Sequence, residues 1–90
     1  MITIRADGVS VTTEGGCPTY PVAAPILAGN ETVEMTAMWW EISESAVIAA
    51  VRWERELRER PALRRMLRKQ GIDFGRAYLA KHHPEALKVA

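Results

Sequence analysis

"ETVEMTAMWWEISESAVIAAVRW", residues 31–53, is the stretch that decides the fold. Two short helical patterns flank a tight break at Glu41-Ile42-Ser43, which is the outline of a helix-turn-helix. Before the break, Val33, Ala37 and Trp40, with Met38, recur at helical spacing. Thr32 or Asn30 is the cap there, and Ser43 caps the helix that follows. A helix-turn-helix needs a small residue where its helices cross, a plug in the turn, and apolar residues locking the second helix from beneath. Ala37 is suitably small, Ile42 is the plug, and Val47 and Ala50 stand at the locking positions. Glu41 occupies the place where a glycine is usual, so the turn is expected to be looser.

Outward from this core, the helix begun by Ser43 is expected to run to about Arg60, where Pro61 halts it or begins another. Ala46, Ala49, Ala50, Trp53 and Leu57 fall within one arc of roughly 100°, while Val47, Ile48 and Val51 lie outside it. A helix so apolar in its first half implies contacts on two sides, a hint of a dimer or a partner. Upstream, Pro21 is expected to open a short helix through Ala28, ended by Gly29-Asn30. "ITIRADGVSVTT" alternates about Asp7-Gly8: Ile2 and Ile4 share one face of a first strand, and Val9 and Val11 one face of a second. A lone hairpin is marginal, so it packs on helices or on another chain. Downstream, "PALRRMLRKQG" is an amphipathic helix with Leu63, Met66 and Leu67 on one face and Gly71 past its end. Asp73 caps a further segment containing Phe74, Ala77, Tyr78 and Leu79, and Pro84 begins a last turn.

The expected fold class is mainly α: an N-terminal β-hairpin, a three-helix helix-turn-helix unit, and C-terminal helices. The expected units are residues 1–19 (hairpin and loop, a dimerisation arm), 20–60 (helix-turn-helix) and 61–90 (basic helical partner-binding segment). Ninety residues make one domain with a modest core, and 48% hydrophobic residues make it globular. No apolar run approaches the roughly 20 residues that span a bilayer. No export signal is visible in "MITIRADG", and one cysteine excludes an internal disulfide; a cytoplasmic protein is the expectation.

The net charge of +1 conceals a division. Residues 1–51 hold one basic side chain against six acids, a net of −5; residues 52–90 hold eleven against five, a net of +6. The C-terminal part is therefore suited to an acidic partner, or to head-to-tail neutralisation in a homodimer.

The span Tyr20–Arg60 resembles the helical part of the domain-of-unknown-function 433 family. The resemblance is carried by Pro21-Val22, Ile26-Leu27-Ala28-Gly29, Val33-Glu34, Ile42-Ser43, Val47, Ala49-Ala50 and Trp53-Glu54. The family's glycine-rich lead-in is echoed only by Gly15-Gly16 and Pro18, without its arginine. The resemblance implies a homeodomain-like unit preceded by short strands, often dimeric. It also implies an antitoxin of the kind encoded beside a PIN-like nuclease toxin.

Two kinds of contact follow from these residues. In a major groove the third helix would present Ser43, Glu44, Ser45, Ile48, Ala49 and Arg52, with Arg52 donating to guanine and the serines to phosphate. Residues 20–52 carry four glutamates against Arg52 alone, so DNA binding needs help from Arg55, Arg58 and Arg60. For a protein partner, Arg64, Arg65, Arg68 and Lys69 form the polar face of a helix whose other face is Leu63, Met66 and Leu67; Phe74 and Tyr78 extend that surface. Planar guanidiniums bind carboxylates two bonds at a time, as at the metal-holding acids of a PIN-like nuclease.

No enzyme is expected, and no cofactor or metal. His82-His83 with Glu85 is a solvated helix end, since adjacent helical histidines diverge by about 100°. Cys17 has no neighbouring base, and Gly15-Gly16 is too little for a phosphate loop. Trp40 fits the core arc. Trp39, with Met35 and Met38, is either a partner anchor or packed in a dimer. The expected function is that of an antitoxin-like protein that neutralises a nuclease through residues 61–90 and autoregulates its operon. The alternatives are a stand-alone transcription regulator and an interaction adaptor.

Overall fold

A computed structural model of the chain describes residues 2–82. The element order is β1 (Ile2–Ile4), β2 (Ser10–Thr12), α1 (Thr19–Leu27), α2 (Val33–Trp40), α3 (Glu44–Glu59) and α4 (Pro61–His82). The protein is mainly helical behind an N-terminal antiparallel hairpin, as its patterning predicts.

The hairpin pairs Ile2 with Thr12, Thr3 with Val11 and Ile4 with Ser10. The Arg5 amide donates to the Val9 carbonyl at 2.9 Å, and the Gly8 amide donates to the Arg5 carbonyl at 2.9 Å, closing the turn. Ile2 and Ile4 enter the core through one face of this ribbon. Val11 is buried too, from the opposite face, whereas Val9 lies in the turn and is exposed. Two short strands have too little apolar surface to stand alone, so this hairpin is held by helices. The Arg76 guanidinium on α4 donates to the Ile4 carbonyl at 3.1 Å.

α3 is the centre of the molecule, packing most extensively against α1 and then α2, with the hairpin and α4 closing its remaining sides. Its first half is apolar nearly all round, and the reason is internal. Ala46, Val47, Ala50, Val51, Trp53 and Leu57 are all buried within this one chain. Only Ile48 of the apolar set is exposed, so the breadth of the stripe is filled without a second subunit. The two-sided pattern reflects a helix surrounded by its own neighbours.

α1 begins at Thr19, two residues before Pro21, with Pro18 at its cap and Pro25 inside it. Thr19 is fully buried: its hydroxyl donates to the Glu54 carboxylate at 2.6 Å, which fixes α1 on α3. Thr32, not Asn30, caps α2, accepting from the Met35 amide at 3.1 Å. α4 is broken at Gly71, where φ is 81° and ψ −162°, into a first arm (residues 61–70) and a second (72–82). That backbone is open to glycine and strained for other residues, so the break was legible in the sequence. The turn expected from Pro84 lies outside the described residues, as does the end of the 61–90 segment.

Candidate functional site

The helix-turn-helix closes more tightly than the missing glycine suggests. Glu41 adopts the left-handed conformation, φ 56° and ψ 45°. The Ile42 amide reaches back to the Ala37 carbonyl at 3.1 Å and the Glu41 amide to Met38 at 3.4 Å, the paired bonds of a Schellman ending. The looser turn is therefore not what forms: the backbone takes the glycine-like geometry and Glu41 bears the strain. Ala37, Ile42, Val47 and Ala50, the crossing, plug and locking residues, are all buried.

A second clamp came from outside the motif. The Ser43 amide donates to the Glu14 carboxylate of the loop after β2. Gly15 beside it has φ +75°, and a Cβ there would lie 2.9 Å from Ile42 Cγ2. The loop over residues 13–18 thus presses on the turn, a contact between residues too far apart for any local pattern to announce. Thr12 holds that loop, its hydroxyl accepting from the Cys17 amide at 3.1 Å.

α3 leaves one face open. Glu44, Ser45, Ile48, Arg52, Arg55 and Glu59 are exposed and fall within an arc of roughly 100°. Three of the four residues expected to meet DNA, Ser45, Arg52 and Arg55, lie on it. Ser43 serves as the cap: its hydroxyl accepts from the Ala46 amide at 3.2 Å and bonds the Ser45 hydroxyl at 3.0 Å. Ala49 is half-buried. Within that arc two arginines stand with two glutamates, and exposed Arg58 at its edge leaves the open face with a net of about +1.

The basic residues of α4 divide from its apolar ones. Arg64, Arg65, Arg68 and Lys69 are exposed, and among the described residues none of them enters an ion pair. Leu63, expected on a partner face, is instead buried in the core, and Leu67, Phe74 and Tyr78 pack against it. Met66 alone of that set is well exposed, at 40%. The physical reason is that a chain of this size has too little apolar surface to leave an amphipathic helix unpacked.

Tyr78 works as an internal clasp between α4 and α3. Its hydroxyl donates to the Glu56 carboxylate and accepts from the Arg60 guanidinium at 3.0 Å. Arg60 and Glu56 also stand 3.7 Å apart as an ion pair. Burial, then the Glu56 carboxylate, push the Tyr78 phenol above its usual value of 10.0. Its ring stacks 4.4 Å from His82 and 6.1 Å from Trp53, centre to centre.

The outer face of α2 is apolar and open. Met38 and Trp39 are 75% and 76% exposed, with Met35 beside them, while Trp40 packs on the core. Of the two readings of the tryptophan pair, the split arrangement is what forms within one chain. Glu54 on α3 is named in the sequence only within the matched pair Trp53-Glu54; its burial, at 8% exposure, was not announced, although it stands four residues after buried Ala50. Among the described residues no cluster of three metal-ligating side chains occurs; His83 and Glu85 lie outside them. Cys17 is buried. No described helix is long and apolar enough to cross a membrane.

Compared with protein-family models, curated proteins and solved structures, the chain finds no match.

Proposed function

We propose that this chain is an antitoxin-like interaction protein that binds and neutralises an acidic-site nuclease through the basic face of α4. The observation that carries the reading is the set Arg64, Arg65, Arg68 and Lys69: four exposed cations on successive turns, without an ion pair among the described residues. Surface charges of one sign left unbalanced repel each other in the free protein and are relieved by an acidic partner. The mode differs from groove insertion: the apolar side of the helix stays in the core, and guanidiniums alone meet carboxylates. The open apolar face of α2 (Met35, Met38, Trp39) is the surface we assign to a second copy in a homodimer.

The test is co-expression with the product of the adjacent open reading frame. Co-purification and rescue of growth are expected for the native chain and lost on reversing charge at Arg64, Arg65 and Arg68. These residues are exposed, so the fold survives, which circular dichroism checks. Truncation at residue 61 would be a poorer test, because Leu63 and Leu79 are core residues. Retention of the complex by the triple variant would overturn the proposal.

A second reading, DNA binding for autoregulation or as a stand-alone regulator, is favoured by the open α3 face with Ser45, Arg52 and Arg55 on it. A mobility shift with the protein's own promoter is its test, and Arg52→Ala should weaken a specific complex by about 1–3 kcal/mol. No shift at low salt would remove it.

A further inference from the structure

Between the hairpin and the broken α4 lies a cavity of about 490 Å³. That is within the roughly 300–1,000 Å³ range of small-molecule sites. Its apolar walls are Ile4 from β1, Trp53 and Leu57 from α3, and Leu67 and Ile72 from the two arms of α4. The break at Gly71 is itself part of the lining, so both arms contribute to one concave surface.

Among the described residues the charged lining groups are Asp7, Arg64 and Arg68. Asp7 is already satisfied. Its carboxylate accepts from the Val9 amide at 3.1 Å and from the Arg5 guanidinium at 2.9 Å. The two arginines are not: neither has an ion pair among the described residues. Spaced four apart on one helix, they sit one turn from each other on the same side. Two unneutralised guanidiniums beside an apolar hollow select for a ligand with an anionic head and an apolar body. A carboxylate matches the planar fork of arginine.

We propose that this cavity binds a small amphipathic carboxylate, its acid group on Arg64 and Arg68 and its hydrocarbon or aromatic body against Trp53, Leu57, Leu67 and Ile72. The site is independent of the partner reading, yet it shares two cations with the basic face. A bound carboxylate therefore competes with an acidic protein for Arg64 and Arg68, giving the interaction a small-molecule control.

The test uses the full chain, labelled with ¹⁵N and titrated with octanoate, 4-phenylbutyrate and, as the neutral counterpart, 1-octanol. Saturable amide shifts are expected at Gly8, Ser10, Gly71 and Ile72 with both acids. Octanoate should bind about tenfold or more tightly than octanol, and Arg64→Gln with Arg68→Gln should erase that difference. Saturable shifts absent from those four amides, or confined to the Met35–Glu41 surface, would overturn the site. Equal binding of acid and alcohol by the native chain would overturn the assigned ligand class. Neither result depends on a nuclease being present, so failure here and failure of the antitoxin reading are separable.

Discussion

Replacing Glu41 by glycine should stabilise the protein, and the size of the gain follows from one dihedral angle. Glu41 sits at φ 56°, where an L-residue's Cβ crowds its own backbone. That costs on the order of 1–2 kcal/mol, which glycine avoids. Against it stands the extra freedom glycine has in the unfolded chain, up to about 1 kcal/mol. The expected net gain is about 0.5–1 kcal/mol, or a rise in Tm of about 2–8 °C for a domain of this size. Removing a carboxylate from the negative C-terminal end of α2 adds a separate electrostatic gain, so Glu41→Ala is the control: it removes the same charge and keeps the strained Cβ. The assay is urea and thermal unfolding of all three proteins by circular dichroism. If Glu41→Ala stabilises as much as Glu41→Gly, the effect is charge and the backbone argument fails. If Glu41→Gly lowers the midpoint, the turn is not closed as described.

Three further outcomes test the packing around the turn and core. Thr19→Val keeps the shape of a fully buried side chain but removes the hydroxyl given to Glu54, and should cost about 1.5–3 kcal/mol in urea unfolding; a neutral result would mean that Glu54 finds another donor. Gly15→Ala should cost about 2 kcal/mol through its left-handed φ and its approach to Ile42, and should broaden the amide resonances of Ile42 and Ser43 if the loop truly presses on the turn. Tyr78 has a folded-state pKa above 10.0, so its contribution is complete below pH 10 and is lost as pH rises through the raised value. Native protein should therefore lose stability more steeply above pH 10 than Tyr78→Phe does, and parallel pH profiles would contradict the Glu56 clasp.

Much of the architecture was legible because its signals are local. Asp7-Gly8, Ser43 and Gly71 each mark a boundary by a preference that acts within a few residues; Ser43 and Gly71 lie where expected, while the turn about Asp7-Gly8 is wider and takes Val9 out of the second strand. The helix-turn-helix core was legible for the same reason: Ala37, Ile42, Val47 and Ala50 are set by spacing on two adjacent helices. Thr32 against Asn30 was open because both are good caps, and only the path of the chain chooses. The start of α1 was misplaced because Pro21 is a helix opener in isolation, whereas buried Thr19 is anchored by a carboxylate 35 residues away.

Periodicity also showed which helices have an apolar face, but not what covers it. Val47 and Val51 hinted at a second chain and are buried by the chain's own elements; Leu63, Phe74 and Tyr78 suggested a free contact surface and pack inward. Trp39 carried the same ambiguity and is exposed. Sequence by itself therefore determined the elements, most of their ends and the split of charge between the halves, since these depend on neighbours along the chain. Tertiary structure decided which apolar faces are consumed and which cations stand unpaired around the cavity, because burial depends on groups that meet only when distant segments fold together.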